Sequence, residues 1–181
     1  ITSVERFGSV ALGNGDDIFD AGFFLGSADG GDGDDLIRLD YSGTGPNGET
    51  ATSVFFDLDG LSSFLNLGVG FADTGASFRV GNFARVEITG SAGDDFLRGG
   101  NGNDILIGGA GDDYLDGRGG TNIIDAGEGD DTIVVARAGD RIDGGPGNDI
   151  IQTLDLSGYA GGPITLRPGA RPSLALGDGT P

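Results

Sequence analysis

Six aspartates and one asparagine recur every nine residues in the second half of the chain: Asp95, Asp104, Asp113, Asn122, Asp131, Asp140 and Asp149. Near the start, Asp17 and Asp35 stand eighteen residues apart in a similar glycine-rich setting. Carboxylates stacked at strand spacing repel one another, so a cation must lie between them. Carboxylate and carbonyl oxygens are hard ligands, and Ca²⁺ takes six to eight of them at ~2.3–2.6 Å. Mg²⁺ fits less well, because it prefers a tight octahedron and holds on to its waters. The chain has no Cys, Met or His, which leaves zinc, copper and iron without a soft or imidazole ligand. Calcium is the ion this chemistry selects.

These residues occupy the sixth place of seven consecutive nonapeptides between Gly90 and Gln152, beginning GSAGDDFLR, GGNGNDILI and GGAGDDYLD. The first four places are mostly Gly, and the eighth is always aliphatic: Leu97, Leu106, Leu115, Ile124, Ile133, Ile142 and Ile151. Gly and Asp favour turns. The last three places, with one inward aliphatic side chain, read as a minimal strand. Turn and strand taken twice give an 18-residue coil, and coils stack at ~4.8 Å through strand hydrogen bonds. The fold class expected is all-β, a right-handed parallel β-roll or β-helix solenoid. Its core is too thin to hold without the ions.

Repeats such as Gly99–Ile107, Gly108–Asp116 and Gly144–Gln152 resemble the RTX (hemolysin-type) calcium-binding nonapeptide GGxGxDxUx. The resemblance implies a calcium ion between two turns one coil apart on the same side. Each turn would give two carbonyls and its sixth-place side chain. In the first block this joins Gly13, Gly15 and Asp17 with Gly30, Asp32 and Asp35. In the main block it joins Ser91, Gly93 and Asp95 with Gly108, Ala110 and Asp113. It then joins Gly109, Gly111 and Asp113 with Ala126, Glu128 and Asp131, and Gly127, Gly129 and Asp131 with Gly144, Pro146 and Asp149. That makes about four strong sites. On the opposite edge a weaker site is expected between Gly100, Gly102 and Asp104 and Gly117, Gly119 and Asn122, with at most one more beyond. Asn122 offers only a neutral oxygen, and the Val135–Asp140 turn lacks Gly at its first four places.

Four segments follow. Residues 1–38 hold a covering strand over Ile1–Ala11 and a short roll of nonapeptides from Leu12 to Arg38. Its middle frame has Gly26 where Asp should stand. Residues 39–89 form a β-rich insert that extends the solenoid, with a turn-rich loop at Leu39–Thr50. Residues 90–152 are the main roll. Residues 153–181 begin a following block or cap the roll, since LDLSG at Leu154 echoes LDYSG at Leu39. This echo reads the chain as an excerpt of a longer multi-block protein, and no signal peptide or export signal stands out.

Composition bounds the function. Of 181 residues 39 are Gly, and the formal charge is −19. Four calcium ions would bring that to about −11, so without ions the chain should repel itself and stay largely disordered. The ten basic residues are all Arg and form no stripe that would suit nucleic acid. No apolar run approaches a membrane span. The fifth-place acids Asp16, Asp34, Asp94, Asp112 and Asp130 read as solvent-facing. The Asp57–Asp59 pair and Glu5 and Glu87 read as structural rather than catalytic. The function expected is a calcium-binding module of a secreted, extracellular bacterial protein that folds outside the cell and assists type I secretion. No enzyme activity is expected within it. The alternative adds binding of a polysaccharide or cell surface, as in adhesin or epimerase modules.

Overall fold

The structure, a computed structural model, describes residues 9–23, 26–45, 50–58, 63–68, 76–134, 136–137, 139–152, 154–155, 165–167 and 173–175. Every described element is a strand. Most of the expected covering strand at Ile1–Ala11 lies outside these residues, as does Asp59.

Two sheets face each other across the core. The first runs through Val10–Asn14, Ser27–Asp32, Ala76–Gly81, Ser63–Gly68, Thr50–Asp57, Phe96–Arg98, Tyr114–Asp116, Thr132–Val134 and Ile150–Ile151. The second runs through Ile18–Gly22, Leu36–Asp40, Arg85–Thr89, Ile105–Ala110, Ile123–Glu128 and Arg141–Asp143, then Ser173–Ala175 and Thr165–Arg167. Within the blocks, parallel partners stand eighteen residues apart, as in Leu106↔Ile124, Leu115↔Ile133 and Phe19↔Ile37. The nine-residue sequence period therefore becomes an 18-residue coil of a parallel β-roll. Leu97, Leu106 and Leu115 are fully buried between the sheets, with Ile124, Ile133 and Ile142 nearly so. Ile151 packs against the same core while only partly buried.

Several strands that lead into the candidate calcium turns are longer than the three residues the repeat suggests, though Arg141–Asp143 keeps to three. Ile105–Ala110 and Ile123–Glu128 pair on through Gly109↔Gly127 and Ala110↔Glu128. Val10–Asn14 and Ser27–Asp32 do likewise through Gly13↔Gly31 and Asn14↔Asp32. Gly109 and Gly127 hold φ of +119° and +111°, a conformation open to glycine and strained for other residues.

The insert stays in the first sheet but breaks its parallel order. Thr50–Asp57, Ser63–Gly68 and Ala76–Gly81 form an antiparallel meander, parallel only to its outer neighbours. In the second sheet Leu36–Asp40 pairs directly with Arg85–Thr89, so one coil spans 49 residues from Leu36 to Arg85. A coil that long returns by hairpins instead of stacking as one strand. The loop expected from Leu39 starts later, because Leu39 and Asp40 pair with Ile88 and Thr89. At the far end, Thr165–Arg167 and Ser173–Ala175 make a hairpin antiparallel to Arg141–Asp143. It covers an edge that would otherwise expose unpaired backbone groups.

The insert also changes which side of the roll carries the calcium-type turns. Turns 12–17, 30–35, 99–104 and 117–122 carry the chain from the first sheet to the second. Turns 90–95, 108–113, 126–131 and 144–149 carry it back. The four good turns of the main block thus lie opposite those of the first block.

Candidate metal centre

Each coil is tied to the next by its sixth-place side chain. The amide N–H of Asp17 donates to Asp35 Oδ1 at 2.8 Å. Those of Asp95, Asp113 and Asp131 donate to Oδ1 of Asp113, Asp131 and Asp149 at 2.8, 2.8 and 3.2 Å. One carboxylate oxygen of each is therefore used. The other is not: Oδ2 of Asp35, Asp113, Asp131 and Asp149 is buried with no hydrogen-bond partner. A buried ionised oxygen without a partner is costly, and here the same atom is orphaned in four turns.

Glycine geometry shows how closely the carbonyls of successive turns approach. A Cβ built on Gly31 would overlap the Gly13 carbonyl oxygen, and one on Gly33 the Gly15 carbonyl oxygen. Along the main block, Gly109 faces Ser91 O, Gly127 faces Gly109 O, and Gly129 faces Gly111 O in the same way. A Cβ on Gly108 would strike both Asp113 Oδ2 and Ala126 O. Carbonyl oxygens at the second and fourth places of one turn thus project into a space that the next turn leaves free by being glycine. Among the described residues no three acidic side chains converge. The oxygen set consists of backbone carbonyls and one carboxylate per turn, a donor set that fits a hard, high-coordination cation.

Electrostatics point the same way. Burial pushes the Asp113 carboxyl up to about 8, and the charges of Asp95 and Asp131 add to this. Asp131 and Asp149 are also raised, chiefly by burial and then by neighbouring carboxylates. Asp95 rises by burial too, opposed by hydrogen bonds from the Ser91 N–H and hydroxyl. A column of carboxylates that resists ionisation when bare needs positive charge between its members.

The family model of the RTX calcium-binding nonapeptide repeat (4 copies) matches residues 87–115, 99–133 and 135–154. The chain carries RTX calcium-binding repeats. No curated protein matches it. The RTX stretch coincides with the main β-roll, where three of the four orphaned oxygens lie.

Around the second edge of the RTX roll, Asp104 is bonded by backbone N–H groups as Asp95 is on the first, and the turns after it differ. Asp104 Oδ2 accepts the Gly100 N–H at 2.8 Å, and its Oδ1 accepts that of Val86. Asn122 Oδ1 accepts the Asp104 N–H at 2.9 Å, and Asp140 Oδ1 that of Asn122 at 2.7 Å. No orphaned carboxylate oxygen appears among the described residues of these turns.

One feature escapes a reading by composition alone. The fifth-place side chains are exposed yet form an outer ladder running in the opposite sense. Oδ1 of Asp16, Asp94, Asp112 and Asp130 accepts the N–H of the fifth-place residue one coil later, at 2.8–3.0 Å. Asn103 does the same for Thr121. The signal was the recurrence of Asp or Asn at that place, which solvent exposure alone does not require. Elsewhere, Asp57 lies within 3.2 Å of Arg98 and 3.6 Å of Arg118, and Glu87 pairs with Arg38. Both are engaged by arginine in structural pairs. Outward on the first sheet, Phe55, Phe96 and Tyr114 stack with centroids 4.7 Å apart, so the rings turn their faces to one another.

Gly127 tests the cradle. Alanine there would need a left-handed backbone and would meet the Gly109 carbonyl oxygen. Strain of this kind costs on the order of 1–3 kcal/mol. Gly127→Ala should therefore raise the calcium midpoint for folding by roughly two- to threefold, the cost being divided among about four bound ions, read by calcium titration followed by circular dichroism. An unchanged midpoint would mean that the space between these turns is not used.

Proposed function

We propose that this chain is a calcium-dependent folding module of a secreted bacterial protein, unfolded in the low-calcium cytosol and ordered in extracellular calcium. Four orphaned, buried Oδ2 atoms, three of them against the first-place glycine of their own turn, carry the reading. Asp17 with Asp35 would hold one ion, and Asp95, Asp113, Asp131 and Asp149 would hold three between them, with the carbonyls of Gly13, Gly15, Ser91, Gly93, Gly109, Gly111, Gly127 and Gly129. The carbonyls of Gly30, Asp32, Gly108, Ala110, Ala126, Glu128, Gly144 and Pro146 complete the shells from the following turns. Extracellular calcium modules bind at ~10⁻⁴–10⁻³ M, which sets the transition between the two compartments. Export by a type I system as an unfolded chain would then be followed by folding outside, stabilising a larger exoprotein. The aromatic stack on the outer face offers ring edges instead of a flat platform, so sugar or surface binding gains no support from it.

Far-UV circular dichroism during a calcium titration from EDTA at neutral pH tests the reading. A coil-to-β transition is expected as calcium rises to millimolar. A chain already β-rich in EDTA at that pH would overturn it.

A further inference from the structure

Resting on that reading, the structure deepens it at one turn. Asn122 is fully buried. Its Nδ2 donates to the Gly117 carbonyl at 3.1 Å and the Gly119 carbonyl at 2.9 Å, while Oδ1 accepts the Asp104 N–H. The orientation of the amide is fixed by these partners. Reversed, it would set an oxygen against two carbonyls and an NH₂ against an N–H.

Gly117 and Gly119 stand at the first and third places of their nonapeptide, as Gly108 and Ala110 do in the Asp113 turn. A Cβ on Gly117 would meet Asn122 Nδ2, just as one on Gly108 would meet Asp113 Oδ2 and one on Gly144 Asp149 Oδ2. The amide nitrogen therefore occupies the position of the orphaned oxygen. Where the aspartate turns present an acceptor among further acceptors, which a cation or a proton must reconcile, Asn122 presents two N–H donors. Its neighbour Asp104 has both oxygens satisfied by backbone N–H groups, as Asp95 has on the other edge, so it is the amide that sets this turn pair apart.

We propose that the Asn122 side-chain amide replaces the calcium ion between the 99–104 and 117–122 turns, making this a metal-independent rung of the roll. The weaker calcium site expected from the sequence at this turn pair is then absent, and in the folded roll the amide closes the turn without an ion. One residue decides between ion and amide.

The test is to count bound calcium on the whole chain, by calorimetry and by metal analysis after equilibrium dialysis. Asn122→Asp turns the donor into an acceptor and should bind one more ion per chain than the wild type. Asp104→Asn is a second variant that keeps the shape of the turn and should leave the count at the wild-type value. Loss of one ion in Asp104→Asn, or no gain in an Asn122→Asp chain that folds in calcium, would overturn the assignment while leaving the module reading intact. If the wild type binds no calcium at all, the module reading fails and this inference with it.

Discussion

Asp113→Ala should remove two calcium ions from the chain, Asp149→Ala one, and Asp104→Ala none. Asp113 is the shared member: its N–H donates to Asp131 Oδ1, and its own Oδ1 receives the Asp95 N–H. Its turn thus closes the space before it and opens the one after it. Asp149 is the last of the eighteen-residue series in the main block and belongs to one pair. The energetic consequence is large. A ligand present at ten times its Kd stabilises the folded state by about 1.4 kcal/mol per site, so losing two sites removes roughly 3 kcal/mol. That is a large share of the stability of a typical domain, about 5–15 kcal/mol. The variant should need several-fold more calcium to fold and should melt well below the Asp149→Ala chain. Stoichiometry by calorimetry and melting at fixed calcium check both. Equal ion losses for Asp113→Ala and Asp104→Ala would show that the pairing of turns has been misassigned.

The period, the coil length and the inward residues were legible because each repeat restates them. Leu106 and Ile124 are eighteen residues apart in sequence and partners in space for the same reason. The relation between the two blocks was not legible. Nine-residue counting stops at Arg38, and nothing in the composition of residues 39–89 shows that the chain resumes on the other side of the roll. That depends on how three strands of the insert fold back in one sheet while the other closes directly. The difference between Asp and Asn at the sixth place was visible as a loss of charge. Its sign as a hydrogen-bonding group was visible only when Gly117 O and Gly119 O were found beside the amide. The fifth-place acids illustrate the converse case. They face solvent as the sequence suggested, yet they also link successive coils.

In EDTA the chain should regain β-structure as the pH falls from 8 to 5, so that protons do part of the work of calcium. Unfolded aspartate titrates near 3.9. In the ion-free fold Asp113 titrates at about 8, and Asp95, Asp131 and Asp149 are raised, with burial the leading cause. Between those limits the folded state binds more protons than the unfolded one, so ion-free stability is lost as pH rises through the window and recovered as it falls. The local chemistry matches the asparagine turn. A protonated Oδ2 becomes an O–H donor, able to do for neighbouring carbonyls what the Asn122 amide does at Gly117 and Gly119. With calcium present the dependence reverses, because protons then compete with the ion for the same oxygens, and the calcium midpoint should rise on acidification. Circular dichroism in EDTA at pH 5 and 8, with light scattering to exclude precipitation near the pI of about 4.1, separates the two regimes. An ion-free chain indifferent to pH across that range would mean that the cost of burying these ionised carboxylates is not what keeps the roll from forming.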